Sequence, residues 1–177
     1  MAVDDKVAVY IDGSNLYHSL RSLAGKTNLN FLKFGRKLAE DRKLQRIYYY
    51  NAPVDQTKEP ERYKEQQKFF QALGYVDYLE LRLGRLIYRD WPNVTPYEKG
   101  IDIKLATDML VHGTNANYDV AILVSGDTDF VDALQAVKNF GYHTEVALFA
   151  NTGSQSLRQV ADRVVRVDQS FLNDCWL

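Results

Sequence analysis

The sequence predicts an α/β fold, a three-layer α/β/α sandwich with a mostly parallel central sheet. Apolar runs of strand length alternate along the chain with segments of helical periodicity, an order typical of strands joined by crossover helices. Several of these runs, such as residues 118–125, are almost continuously apolar, as expected for strands that are buried on both faces. Gly25, Gly74 and Gly141 follow three of the helical segments and are suited to ending them.

The first half of the chain supplies two apolar strands and three helices. They are a strand at 6–11, helices at 15–24 and 31–40, a strand at 44–50 and a helix at 59–73. Ser14 and Asn30 are the expected N-caps of the first two helices. Residues 75–89 have strand character interrupted at Gly84, which predicts a small hairpin or edge pair.

The second half continues the alternation after a proline-rich loop at 91–96. It supplies a helix at 101–111, a strand at 118–125, a helix at 129–139, a strand at 144–149, a short helix at 154–161, a strand at 163–167 and a last turn near Phe171. Asp102 is expected in the first turn of its helix, and Gly113 beyond its end.

Length, composition and charge limit the classes of protein to which the chain can belong. With 177 residues the chain fits one domain over residues 1–177, large enough to fold without disulfides. The start of the chain is acidic and unlike an export signal, no apolar run could cross a bilayer, and Cys175 has no second cysteine to pair with. We therefore expect a cytoplasmic protein with no membrane partner. The net charge of −1 gives no global positive field, so any nucleic-acid role has to be argued from a site.

Two strand ends carry similar acidic chemistry. Asp12 follows the strand at 6–11, and Asp127 and Asp129 follow the strand at 118–125. If these strands are neighbours, their carboxylates meet at the edge of the sheet where α/β proteins place their active sites. Ionised carboxylates about 4 Å apart repel by roughly 4 kcal/mol at an effective dielectric of about 20, so a cation is expected between them. Oxygen ligands without cysteine or histidine suit Mg²⁺ or Mn²⁺, which promote phosphodiester hydrolysis in many nucleases.

A structural interpretation of the same residues stays open. Asp12 and Ser14 could form only a turn and a helix cap, and Asp127 and Asp129 could cap the next helix. Asp102, after Gly100, adds a third acidic site, although an acid in a first turn also suits the helix dipole. The three sites together favour catalysis. Asp108, nearly two turns further on, is expected at most to support the site.

Three motifs resemble the NYN domain family, a branch of the PIN-like nuclease superfamily, and specifically its LabA-like (DUF88) members. They are IDGSN at 11–15, KGID at 99–102 and SGDTDF at 125–130, and the resemblance extends over residues 6–167. It implies a PIN-like topology and an Mg²⁺- or Mn²⁺-dependent ribonuclease. Carried over motif by motif, the metal ligands and catalytic residues would be Asp12, Asp102, Asp127 and Asp129.

The same resemblance implies roles for neighbouring polar residues. Asn15 would orient the site or contact substrate, and Ser125 and Thr128 would be supporting hydroxyls. Single-stranded RNA needs local positive or aromatic ground, for which Lys99 beside Asp102 and Arg85 are candidates.

Other features are ambiguous between RNA contact and structure. Arg82, Arg89, Tyr78, Tyr88 and Trp91 could contact RNA or pack. The basic residues of the third helix, Lys58, Arg62, Lys64 and Lys68, are expected to form a solvated face. Tyr48, Tyr49 and Tyr50 are expected to pack in the sheet, and His18, His112 and His143 to be structural.

Two alternative functions remain open. The chain could be a catalytically weak RNA-binding or scaffold protein that retains the fold, which RNA binding without metal-dependent turnover would indicate. An aspartyl phosphatase is disfavoured, because such enzymes usually carry a second acid where this chain has Ser14. Phe171 and Trp176 could close a homodimer or pack the C-terminus onto the sheet.

Overall fold

The computed structural model describes residues 4–150 and 154–177, in which strands and helices alternate. The strands are β1 (Lys6–Asp12), β2 (Lys43–Asn51), β3 (Leu79–Leu83), β4 (Arg85–Ile87), β5 (Tyr97–Lys99), β6 (Val120–Val124), β7 (His143–Phe149) and β8 (Arg163–Val167). The helices are α1 (Gly13–Ala24), α2 (Phe31–Ala39), α3 (Pro60–Leu73), α4 (Ile101–Thr114), α5 (Val131–Asn139), α6 (Gln155–Val160) and α7 (Gln169–Leu172). Of the predicted acidic chain start, residues 1–3 lie outside the described part.

Six strands form one sheet in the order β3-β2-β1-β6-β7-β8, and every neighbouring pair is parallel. The predicted parallel sheet is therefore confirmed. The chain leaves β1 towards β2 and β3, and later returns to the other side of β1 with β6. The carboxyl ends of β1 and β6 thus flank the point where strand order reverses, which is where open α/β sheets place ligand sites.

Helices cover both faces of this sheet and complete the three layers. Because side chains alternate along a strand, Val9 and Ile11 of β1 face one layer and Tyr10 faces the other. The first layer packs side chains of α1, α2, α3 and α7 against the sheet, and the second packs those of α4, α5 and α6. The two apolar cores explain why β1 and β6 are apolar almost throughout.

The hairpin predicted at residues 75–89 is wrong, although the fold does carry a small antiparallel pair. β3 joins the main sheet beside β2 as a parallel edge strand, and β4 pairs with β5 across the proline-rich loop. Gly84 does not turn the chain back. Its amide donates to the carbonyl of Asn51 at 2.9 Å, and a Cβ there would collide with the side chain of Ile101. Gly84 therefore allows the chain to pass closely over α4.

Three predicted helix bounds shift for local reasons. α1 begins at Gly13 because Asp12, and not Ser14, caps it. α4 runs past Gly113 to Thr114. This glycine does not end the helix but makes room for the hydroxyl of Tyr118, which lies 2.9 Å from where a Cβ would be. The helix predicted from residue 129 begins as a 3-10 turn, Thr128–Phe130, before α5.

The C-terminal aromatic residues pack onto their own chain. Phe171 meets Phe34 edge to face at 6.1 Å between ring centroids, and Trp176 pairs with Leu29 in an isolated β-bridge. These contacts agree with the intrachain alternative for both residues. The homodimer stays a prediction. None of the helices among residues 4–150 and 154–177 is long and apolar enough to span a membrane.

Candidate active site

Asp12 lies at the end of β1, where the chain turns directly into α1. Its side chain is 5% exposed. One carboxylate oxygen accepts a hydrogen bond from the backbone amide of Asn15 at 3.0 Å and caps α1, and the other accepts one from the Ser125 hydroxyl at 3.0 Å. Gly13 makes this turn possible, because a Cβ there would lie 2.7 Å from side-chain atoms of Tyr49 and Asn51. Asp12 is thus both a cap and part of the site.

Ser125 and Asn15 tie the ends of β1 and β6 together. The Ser125 hydroxyl donates to Asp12 and accepts from the backbone amide of Asp127 at 3.1 Å. The side-chain oxygen of Asn15 accepts from the backbone amide of Gly126 at 3.1 Å. The two turns are therefore fixed relative to each other by hydrogen bonds that cross between neighbouring strands.

The remaining aspartates come from two other elements. Asp127 caps the 3-10 turn by accepting from the backbone amide of Asp129 at 3.0 Å. Asp102 is exposed in the first turn of α4, as predicted. Asp129 is exposed too, and its charge acts on the pKa of Asp102. The structure therefore brings all four predicted aspartates to one edge of the sheet, with Asp129 at its periphery.

Glu98 is an acidic residue of this site that the sequence did not single out. It is the middle residue of β5, and the short antiparallel pair carries its half-buried side chain towards Asp12 and Asp102. Burial, reinforced by the charges of those two aspartates, raises the pKa of Glu98 to about 7. Its protonation therefore depends on the other acids of the site.

The pKa values of Asp12 and Asp102 reflect burial and the charges of neighbouring acids. Burial raises the pKa of Asp12 and the nearby charge of Asp127 adds to this, while hydrogen bonds from the Asn15 amide and Ser125 oppose it. Burial also raises the pKa of Asp102, and the charges of Asp12, Asp127 and Asp129 add to the effect. Ionisation of Asp12 and of Asp102 is thus disfavoured first by burial and then by neighbouring carboxylates.

These residues line an open cleft with a volume of about 470 Å³. Four of its described lining residues are acidic, namely Asp12, Glu98, Asp102 and Asp127, and the others lie on the first two turns of α1 and just beyond. The lining side chains in the described part of the chain include no lysine or arginine. The cleft therefore concentrates negative charge without a protein cation to balance it.

The donor set fits a hard divalent cation. Carboxylate oxygens are the ligands that Mg²⁺ and Mn²⁺ prefer, and the repulsion between them would be relieved by such an ion. Within residues 4–150 and 154–177, no three acidic, histidine or cysteine side chains already stand together as a compact metal-binding group. Mg²⁺ keeps several of its waters in proteins, so widely set carboxylates suit it better than they would suit zinc.

Lys99 and Arg85, predicted as substrate contacts, are not among the described lining residues of this cleft. They are exposed register partners in the β4–β5 pair. Because alternate residues of a strand point to opposite faces, Lys99 points away from the side on which Glu98 meets the aspartates. Thr128 is exposed in the 3-10 turn and does not line the cleft either.

Asp108 belongs to a different cluster. It accepts a hydrogen bond from the Tyr50 hydroxyl at 2.9 Å and lies 3.8 Å from the Arg82 guanidinium. It contributes nothing to the lining of the acidic cleft. Two of the residues left open between RNA contact and packing can be placed. Tyr88 donates to Glu59 at 2.6 Å, and Tyr78 precedes β3 at the opposite edge of the sheet.

The structure agrees with some of the remaining expectations for basic, aromatic and histidine residues and not with others. Tyr48, Tyr49 and Tyr50 are buried in the sheet as predicted. On α3, Lys64 pairs with Glu61 at 2.9 Å, as expected of a solvated face. His18, expected to be structural, is instead exposed and lines the cleft.

A helical pattern in the sequence could have found this wall of the cleft. Asn15, His18, Ser19 and Ser22 recur at the spacing of one helix face, and all four line the cleft. Glu98 gave a weaker signal. A three-residue strand is too short for alternation to show which way its middle residue points.

Comparison with known proteins identifies the family. A model of the NYN domain matches residues 6–168. A protein of unknown function from Vibrio parahaemolyticus superposes with a TM-score of 0.74 over 97% of this chain and 98% of that chain, at 22% identity, which supports the fold alone. A nicotinic acid mononucleotide adenylyltransferase from Plasmodium falciparum covers 93% of this chain and 74% of that chain, with a TM-score of only 0.39 and 9% identity. The curated proteins contain no significant match. Membership of the LabA-like branch stays a prediction.

Proposed function

The chain belongs to the NYN domain family of PIN-like nucleases, and from this we propose that it is a metal-dependent ribonuclease acting at the acidic cleft. One observation carries the proposal. Carboxylates from four separate parts of the chain converge on one cleft, and the described lining residues supply no cation to balance them. Such an arrangement costs folding stability unless a ligand offsets it.

Asp12, Asp102 and Asp127 are the residues that would hold Mg²⁺ or Mn²⁺, with Asp129 and Glu98 close enough to act on their charge. When bound, such an ion would polarise the phosphodiester and lower the pKa of an attacking water. Ser125 and Asn15 keep the carboxylates of the β1 and β6 turns in place through their hydrogen bonds. This pre-organisation matters because ligands that are already oriented need no rearrangement during the reaction.

RNA as substrate rests on the resemblance of the three motifs to the NYN domain, and surface charge supports it. Lys99 and Arg85 form an exposed basic pair beside the cleft, on the outer face of the β4–β5 pair. We place them on backbone phosphates away from the scissile bond, since an acidic protein needs local positive charge to hold a polyanion.

The proposal is tested by cleavage of single-stranded RNA, duplex RNA and single-stranded DNA in Mg²⁺, Mn²⁺ or EDTA. Wild type should cleave single-stranded RNA only with metal, and Asp12→Asn and Asp127→Asn should each lose at least about a hundredfold in rate. Asp77→Asn is the matched control. Asp77 is an exposed aspartate just before β3, at the opposite edge of the sheet, so its variant should match wild type.

The outcomes separate the alternatives. Activity that survives both cleft substitutions would contradict the site assignment. RNA binding without turnover on any substrate, in any metal, would indicate the RNA-binding or scaffold alternative instead.

A further inference from the structure

A second cavity, with a volume of about 460 Å³, opens directly beside the acidic cleft. We call it the aromatic groove. Both cavities are lined by Ser14, His18 and Glu98, so they adjoin at the start of α1. A ligand held in the acidic cleft could therefore reach the groove past these three side chains.

The floor of the groove is aromatic and rigid. Phe31, Tyr49 and Phe69 pack on one another, with Tyr49 meeting both phenylalanines edge to face at centroid distances of 5.1 and 5.8 Å. Phe31 and Tyr49 are buried, and Phe69 is half-buried. Leu16 and Leu86 add aliphatic sides. The groove is thus lined by aromatic and aliphatic side chains, with Phe69 the most exposed of the three rings, whereas the described lining residues of the acidic cleft are all polar or charged.

The amide side chains of the groove hold its walls. Gln66 accepts from the backbone amide of Val54 at 2.8 Å and donates to the carbonyl of Ala52 at 3.1 Å. Asn51 donates to the Tyr49 hydroxyl at 3.2 Å. These bonds fix the loop after β2 against α3, so the groove does not depend on a ligand for its shape.

The rim is polar and open to solvent. Thr27, His18 and Glu65 line it, and Glu65 has no ion pair among the described residues. A ligand in the groove would therefore place an apolar face on the floor and polar edges at the rim.

We infer that the aromatic groove binds the nucleobase of a nucleotide next to the scissile phosphate. The parts of a nucleotide match the two cavities in order. Its anionic phosphodiester would lie at the acidic cleft, and the sugar joins this group to a flat base, whose apolar faces and polar edges suit the groove. Aromatic side chains bind unpaired bases by stacking, which tolerates any base sequence. The inference rests on the proposed function for the neighbouring phosphate, and it makes the substrate a single strand, because a paired base could not enter the groove.

Methyl-resolved NMR tests this without any cleavage. Adenosine and uridine, which lack phosphate, are titrated into the protein alongside ribose. The nucleosides should shift the methyl signals of Leu16, Val54 and Leu86, and ribose should not. In Phe69→Leu, which removes one ring of the floor, nucleoside affinity should fall at least about tenfold. Phe140→Leu, the same change at an exposed residue after α5, should stay within about twofold of wild type.

Failure of this inference differs from failure of the proposed function. Nucleoside shifts at these methyl groups in a protein without nuclease activity would uphold the groove and reject the proposed function. An active nuclease in which nucleosides shift no groove methyl, or shift them no more than ribose, would overturn the groove assignment. The wild-type comparison decides this even if Phe69→Leu fails to fold.

Discussion

Buried carboxylates have opposite kinds of charged neighbours at the two ends of the strands of the main sheet. We call the ends where the strands begin the amino edge and the ends where they finish the carboxyl edge. At the amino edge, Glu145 is 1% exposed and its two oxygens meet the Arg42 guanidinium at 2.6 and 3.1 Å. Arg163 lies 3.6 Å from the same carboxylate and also pairs with Glu40. At the carboxyl edge, Asp12 is almost as buried, yet its charged neighbours are acids.

This is the difference that we expect between a structural charge cluster and a functional one. Burial alone is shared by both edges, so it does not mark function. At the amino edge two arginines and two glutamates balance, and the cluster links α2, β7 and β8. At the carboxyl edge, burial and neighbouring acids raise the pKa of Glu98 and of Asp102, and no lysine or arginine is among the described residues that line the cleft.

Glu145→Gln should show the largest effect on stability. It removes the carboxylate that the buried Arg42 guanidinium contacts at 2.6 and 3.1 Å, and breaking a buried ion pair typically costs about 3–5 kcal/mol. In a chain of this size we expect the Tm to fall by roughly 10 °C in thermal denaturation. Glu40→Gln, at the exposed member of the cluster, should cost less than about 1 kcal/mol. Equal losses of stability in the two variants would mean that burial does not decide how much each glutamate of the amino-edge cluster contributes.

Ser125→Ala should lower RNA cleavage by about 10- to 100-fold while the fold persists. The hydroxyl orients Asp12 and supports the Asp127 turn, and the loss of such supporting bonds typically has this effect on metal sites. Steady-state cleavage with saturating metal measures it. Ser156→Ala, at an exposed position of α6, serves as the control and should leave the rate unchanged. A fully active Ser125→Ala would remove this serine from the site.

Glu98→Gln should stabilise the metal-free protein, with an effect that grows with pH. The folded pKa of about 7 lies above the ordinary glutamate value of 4.5, so the folded state binds more protons and its stability falls as pH rises from about 4.5 to 7. Glutamine removes this loss. Allowing for partial exposure, we expect a gain of about 1 kcal/mol at about pH 8 and much less at about pH 5.

Urea denaturation in EDTA at the two pH values measures this difference, with Glu65→Gln as the exposed control. A gain that is the same at both pH values would show that Glu98 is not under pressure from its acidic neighbours. A loss of stability in Glu98→Gln would show that the charge of Glu98 stabilises the fold, as we expect for the charge of Glu145 at the amino edge.

The fold was largely predictable because its strongest signals are local. The apolar runs of β1 and β6 are too continuous for anything but buried strands, and Asn30 caps α2 as its side-chain chemistry predicts. Residues 75–99 were not predictable in the same way. β3, β4 and β5 are short, and nothing in a run of three to five residues states which other strand it pairs with.

The residues of the site also differ in whether their positions could be predicted from the sequence. Asp12 and Asp127 were predictable because strand ends of neighbouring parallel strands necessarily meet, whereas Glu98 reaches them only through the pairing of β4 with β5. Lys99 was predicted to contact substrate because it flanks Asp102 in the chain. Strand alternation instead places it on the face opposite Glu98.

We propose above all that the carboxyl edge binds a divalent cation, and calorimetric titration with Mn²⁺ tests this most directly. Wild type and Asp77→Asn should bind Mn²⁺ alike, and Asp12→Asn and Asp127→Asn should each bind it at least about tenfold more weakly. No binding by wild type, or equal affinity in all four proteins, would contradict the account.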